Sequence, residues 1–277
     1  MDVLRRVSAP ATRRNRNMSL RPSTPHLVRR AAPAPSSAPK EAPRTLRVLA
    51  TRAVTPRLRR ITLACGDAAP FAGPAMHARL LVPCPRGPLR GADGAPAASR
   101  YYTIRFVRPE AGEIDIDVVL HAPAGPGACW GAEARPGDRV GLIGPLGRPV
   151  PPVGRLVLVG DETALPVIGR LIEEAAPGRR IDALVEVADR DEEQDVACGP
   201  GQRLAFLHRR SGRGSRLAQA AADLARGPDR DLFLYAGVEA GTARDLTSLA
   251  RERLALGSAQ ARIVTYWRRQ DDDAPVR

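Results

Sequence analysis

The sequence predicts a β plus α/β protein: an antiparallel six-stranded barrel followed by a doubly wound parallel-sheet domain. Three observations carry this. Between residues 44 and 153, short apolar-alternating runs are cut by Gly and Pro, the pattern of small antiparallel barrels. From Arg155 the pattern changes to a near-continuous apolar run, Leu156-Val157-Leu158-Val159-Gly160, typical of a strand covered on both faces. Strand-like and helix-like segments then alternate to the end, and 277 residues suffice for two modest domains.

The segments follow in order. Residues 1–43 are rich in Arg, Pro, Ala and Ser, with six prolines among the first 39, so a disordered leader is expected. Thr45–Leu49 and Leu58–Leu63 read as strands with a turn at Thr55-Pro56. Ala78–Pro83 is a third strand. A Gly/Pro loop over residues 85–98 leads to Arg100-Tyr101-Tyr102-Thr103-Ile104-Arg105. Glu113–His121 alternates, with Ile114, Ile116, Val118 and Leu120 on one face, and Arg139–Ile143 follows. Gly144-Pro145-Leu146-Gly147 is expected to end the barrel, which occupies residues 44–153. The α/β domain, residues 154–269, has expected strands at 156–160, 181–187, 203–208, 231–236 and 262–266. Its expected helices cover 167–176, 215–226 and about 241–256, and an acidic tail fills 270–277.

Composition excludes several classes. No run approaches the about 18 apolar residues of a membrane helix, and the basic start lacks a signal-peptide core, so a cytoplasmic protein without membrane insertion is expected. Four cysteines and four histidines are scattered without metal-ligand spacing, so no metal site is expected. The net charge of +13 is concentrated in residues 1–44, which hold ten basic and two acidic side chains. No basic helix or aromatic platform accompanies it, which argues against nucleic acid.

Arg100 and Tyr102 fall on one face of their strand and Tyr101, Thr103 and Arg105 on the other. A guanidinium that forks onto phosphate, two residues from a phenol that stacks on a ring, suits a ligand combining both groups. Ala124-Gly125-Pro126-Gly127-Ala128-Cys129-Trp130 reads either as an ordinary loop with Trp130 in the core, or as a helix start whose amides cradle a pyrophosphate. In the α/β domain the carboxyl ends of the strands, where ligands of such sheets bind, carry Gly160–Thr163, Val187–Arg190, His208–Arg210 and Gly237–Glu239.

Arg-x-Tyr-Thr resembles the flavin motif of the ferredoxin-reductase superfamily, and Gly160-Asp161-Glu162-Thr163-Ala164-Leu165-Pro166 resembles the signature of the siderophore-interacting protein family. Glu113–Asp117 with Leu120-His121, Gly125-Pro126 and Trp130, and the closing Tyr266-Trp267-Arg268-Arg269, are similar to that family in the same order. The resemblance implies a FAD-dependent ferric-siderophore reductase. Arg100 and the amides of Gly127, Ala128 and Cys129, beside Trp130, would hold the pyrophosphate. Tyr102 would pack on the isoalloxazine and Thr103 bond its edge, with His121 near the ribityl or phosphate region. Asp161, Glu162 and Thr163 would line the cleft at the reactive face, and Trp267 would cover part of it. Cys129 stands where the family often has Ser, and Gln270 where it often has Gly. The inner glycines of the nicotinamide turn are replaced by Asp161 and Glu162, which leaves NADPH, NADH or a ferredoxin as electron donor. Lys40 is the one lysine, so arginines would contact an anionic siderophore. Two other readings stand beside this one: a general ferredoxin-NADP-type reductase, and a non-enzymatic module binding a siderophore or partner. Asp161 or Thr163 can also serve as a plain helix cap.

Overall fold

A computed structural model describes residues 43–83, 98–209, 215–226 and 231–269. The expected leader apart from Pro43, most of the 85–98 loop, Arg210 and the acidic tail lie outside the described residues.

Six strands close a barrel: β1 (Arg44–Thr55), β2 (Leu58–Ala64), β3 (His77–Val82), β4 (Ala98–Arg108), β5 (Glu113–Val119) and β6 (Arg139–Leu146), in the order β1-β2-β5-β4-β3-β6. All neighbours pair antiparallel. Alternate side chains turn inward, and Val48, Ile61, Leu63, Leu80, Ile104, Ile114, Ile116 and Leu142 form a fully buried interior. Helix α1 (Pro126–Glu133) packs on this core through Trp130. Gly131 permits the approach, because a Cβ there would fall 2.4 Å from a Val118 methyl.

The second sheet has the order β11-β10-β7-β8-β9 and is entirely parallel. Its strands are β7 (Arg155–Asp161), β8 (Arg180–Val187), β9 (Gln202–His208), β10 (Leu232–Glu239) and β11 (Ala261–Trp267). Helix α2 (Leu165–Glu173) covers one face, packing on Leu156, Leu158, Ile181 and Val185. Helices α3 (Leu217–Ala225) and α4 (Ala240–Glu252) cover the other, on Val157, Val159, Leu234 and Ala236. β8 and β9 extend the sheet to one side of β7, and β10 and β11 to the other. The winding reverses at the β7–β10 pair, the switch point where such sheets bind ligands.

Two elements differ from expectation. Gly144-Pro145-Leu146 does not end the barrel; β6 continues through it to pair Leu146 with His77. A register shift between His77 and Arg79, with Gly144 at φ +147°, absorbs the irregularity. Helix α4 stops at Glu252, short of residue 256, and Ala255 takes a positive φ of 53° just beyond.

Buried ionic groups lock the two sheets together. Arg170 of α2 is fully buried and donates to the carbonyls of Ile104 (2.9 Å) and Phe71 (2.8 Å) in the barrel. Its Nε reaches Glu174 at 2.8 Å. Arg105 of β4 forks onto Glu173 at 2.6 and 2.9 Å, over Gly169, where a Cβ would press on the guanidinium. Thr55 donates to the buried Glu192 carboxylate at 2.5 Å.

Candidate functional site

The site is built from both sides of this junction. On the barrel side, Arg100 and Tyr102 point together toward the start of α1. A Cβ at Gly127 would fall 2.3 Å from Tyr102 Oη and 3.4 Å from Arg100 Cγ, so only glycine lets the helix start, the phenol and the Arg100 stem meet. Gly125 caps the helix without a side-chain bond, and the first i to i−4 bond runs from Cys129 N–H to the Gly125 carbonyl at 2.9 Å. The Gly127 and Ala128 amides lie ahead of it and have no intrahelical acceptor. Among the described residues, Arg100 donates only to the neighbouring Ser99 carbonyl, at 2.8 Å. Burial pushes the Tyr102 hydroxyl up to about 12, against the pull of Arg100, so the phenol stays neutral and can donate. Amide donors and an aromatic ring therefore meet beside the stem of Arg100. This set fits a phosphate attached to a flat ring system.

Other barrel-side expectations fall around this point. Trp130 is buried in the barrel core, and its indole N–H has no partner among the described residues. Cys129 is exposed and turns its thiol to the Ala124 carbonyl at 3.6 Å. His121 is exposed and bonds through Nδ1 to the Pro123 carbonyl at 2.8 Å, along the loop that enters α1. Thr103 is buried on the opposite face of β4 from Tyr102.

On the α/β side, Asp161 ends β7 almost fully buried. Its Oδ1 accepts from the Thr163 amide (2.9 Å) and hydroxyl (2.5 Å), and its Oδ2 from the Trp267 indole N–H (2.8 Å). Burial raises its pKa, and the bonds from Thr163 and Trp267 only partly offset this. Asp161 does more than turn the chain: it ties the end of β11 to the end of β7. Trp267 is still 36% exposed, so part of the indole reaches the surface. Glu162 is turned elsewhere. It accepts two bonds of 2.9 Å from Arg209, whose Nε also reaches the buried Glu186 at 3.3 Å. The hydrogen bonds that Arg209 donates to Glu162 raise its pKa.

A residue that sequence reasoning left out joins the two sides. His77 on β3 stands opposite Thr103 in the sheet register. Its Nε2 lies 3.0 Å from Tyr266 Oη on β11, one residue before Trp267. The His77–Tyr266 contact and the Trp267–Asp161 bond thus tie neighbouring residues of β11 to the barrel and to the end of β7. The sequence signal for His77 was a single polar side chain opening an apolar strand, and nothing marked its partner 189 positions away.

The profile of the siderophore-interacting FAD-binding domain matches residues 47–149, and that of the siderophore-interacting protein matches residues 153–270. A siderophore utilization protein from T. fusca is 32% identical, with a TM-score of 0.72, over 84% of this chain and 95% of that chain. The chain belongs to the siderophore-interacting protein family. Within curated proteins, this family member is 35% identical over 101 residues to the ferric vibriobactin reductase ViuB of Vibrio cholerae, covering 35% of this chain and 37% of that protein. It is 29% identical over 243 residues to the mycobactin import ATP-binding/permease protein IrtA of Mycolicibacterium smegmatis, covering 82% of this chain and 27% of that protein. The chain thus spans 27% and 37% of the length of these two relatives. The match to the FAD-binding domain covers the barrel that carries Arg100, Tyr102 and Gly127. Among the described residues no helix is long and apolar enough to cross a membrane.

Proposed function

We propose that this chain is a cytoplasmic FAD-dependent reductase that delivers electrons to Fe(III) siderophores and releases Fe(II). The observation that carries the reading is the meeting of Arg100, Tyr102 and the start of α1 at Gly127, where any Cβ would collide with the phenol. FAD, the cofactor named by the family's domain, has the phosphates and ring that this set of donors suits. When bound, a flavin takes two electrons together and gives them out singly, which suits a one-electron acceptor such as Fe(III).

The chain's own residues would divide the work. Arg100 and the Gly127 and Ala128 amides, with Cys129 and Trp130 behind them, hold the pyrophosphate. Tyr102 would pack against the ring and Thr103 would bond its edge, while His121 would flank the ribityl or phosphate region. Asp161 and Thr163 shape the cleft across the junction, with Glu162 beside them. Trp267, held by Asp161, shields part of the cleft from water. The ferric siderophore would enter from the open side, and Fe(II), gripped less tightly by hard oxygen ligands, would leave.

The donor would be NADPH, NADH or a ferredoxin. Glu162 and Glu186 neutralise Arg209 where a dinucleotide phosphate would arrive, which favours weak dinucleotide binding or a protein donor. The test has two parts. The purified protein should show oxidised-flavin absorption bands and release FAD on denaturation. Supplied with a ferric siderophore and each donor in turn, it should form Fe(II), trapped by a ferrous chelator. A colourless protein that takes up no FAD, or Fe(II) formation no faster than with free flavin, sinks the proposal.

A further inference from the structure

Three side chains from three strands and both domains form one hydrogen-bonded chain beneath the cleft. His77 Nε2 lies 3.0 Å from Tyr266 Oη, which lies 2.7 Å from Tyr235 Oη on β10. The His77 and Tyr266 rings meet edge to face, with centroids 6.2 Å apart. Two glycines make room for them. A Cβ at Gly237 would fall 2.8 Å from the Tyr266 ring, and one at Gly147 would fall 3.1 Å from His77 Nδ1. Directly opposed residues of an antiparallel pair have Cβ atoms about 5 Å apart, so His77 is the neighbour of Thr103 across the sheet.

We propose that His77 is the proton acceptor of this cleft, with the Tyr266 and Tyr235 hydroxyls re-aiming when it becomes charged. This rests on the reading that the pocket holds a flavin. When a reduced flavin gives one electron to each of two Fe(III) chelates, two Fe(II) and the oxidised ring are formed, and at least one proton is left over. Arg100 has no lone pair to receive it. Asp161, whose oxygens accept from Thr163 and Trp267, is the rival acceptor that the test separates from His77. A neutral imidazole can receive it. Neutral His77 with a bare Nε2 accepts from Tyr266, which accepts from Tyr235. Charged His77 donates to Tyr266, which then donates to Tyr235. Both hydrogen bonds survive, so the added proton reverses the chain without breaking it.

The surroundings set the resting protonation of the chain. Burial, then the positive charge of Arg170 on α2, lowers the His77 pKa from the ordinary 6.5, so the ring starts neutral. Burial raises both tyrosines, and Asp161 raises Tyr266 further, so neither phenol loses its proton. The remaining neighbours from β4 and β6, Thr103 and Leu146, carry no charge. His77 is only partly buried and can return the proton to water.

The test is the flavin midpoint potential of the holoprotein as a function of pH, set beside the NMR titration of the His77 ring. The expected result is a change of slope at the pH where His77 titrates. His77→Gln, which keeps a hydrogen-bonding group but cannot titrate, should lose that change, and Asp161→Asn should keep it. A slope change that persists in His77→Gln, or that disappears in Asp161→Asn instead, overturns the proposal. If His77→Gln fails to hold FAD, Tyr266→Phe decides: the slope change must move together with the His77 titration, and one that stays fixed overturns the proposal. A wild-type protein that takes up no FAD removes the flavin reading and this inference together. A yellow protein with a profile indifferent to His77 removes the inference alone.

Discussion

Two arginines stand where an anion could arrive, and the structure treats them oppositely. Arg100 of the barrel has, among the described residues, only a neighbouring backbone carbonyl as partner, and faces a neutral phenol and the amide end of α1. Arg209 of the α/β domain is held by two carboxylates, Glu162 and Glu186, and Ser215 fixes the second of these with a bond of 2.9 Å. One guanidinium presents its charge to a ligand. The other sits in a local excess of negative charge. Under the proposed function, the barrel would keep an anionic cofactor and the sheet edge would admit a donor only weakly.

The strongest way to break the comparison is at the cradle itself. Gly127→Val places a branched side chain where even a Cβ would lie 2.3 Å from the Tyr102 hydroxyl. Overpacking a tight site costs about 1–3 kcal/mol, and this position is at the upper end, so FAD affinity should fall about 100-fold. Equilibrium dialysis of FAD would measure it. Unchanged affinity would mean that the ligand does not touch this surface.

A smaller effect is expected from the charge. Arg100→Ala removes charge-assisted bonds to phosphate, each contributing about 1.5–3 kcal/mol, so FAD affinity should fall about 30-fold. Arg209→Ala should leave FAD affinity unchanged. Equal losses in both variants would erase the distinction between the two arginines.

The barrel half of this contrast was legible in the sequence and the other half was not, for a physical reason. Arg100, Tyr102 and Thr103 lie within one strand, so the period-2 rule alone sets which of them share a face. Gly127 stood out because glycine beside proline marks a backbone that must turn closely. The Glu162–Arg209 clamp joins residues 47 positions apart, and depends on β7, β8 and β9 lying side by side in that order. The sequence placed His208–Arg210 at a strand end where ligands of such sheets bind, whereas the structure shows Arg209 already paired with Glu162 and Glu186. Arg170 reads as the polar side of an amphipathic helix, yet it is fully buried, because barrel carbonyls from Phe71 and Ile104 meet it across the junction. The strands and helices announced themselves through local periodicity. The contacts that join the domains did not.

The mildest test sharpens the α/β half. Glu162→Gln keeps the shape of the side chain but removes one of the two charges on Arg209, leaving Glu186 in place. The Arg209 side chain is 33% exposed and that of Glu162 16%, so water and salt screen the pair. Such pairs are worth about 0.5–1 kcal/mol, and NADP+ affinity should therefore rise only about 2- to 5-fold. The gain should shrink as ionic strength rises, because the freed charge acts through solvent. FAD affinity, set at the other arginine, should not move. Titration of the flavin spectrum with NADP+ at low and high salt reads the first two quantities, and equilibrium dialysis reads the FAD affinity. A gain that ignores salt would point to lost bulk or a shifted loop. No gain would mean that a dinucleotide phosphate does not approach Arg209, and that the clamp serves to hold the ends of β7, β8 and β9 together rather than to govern the donor.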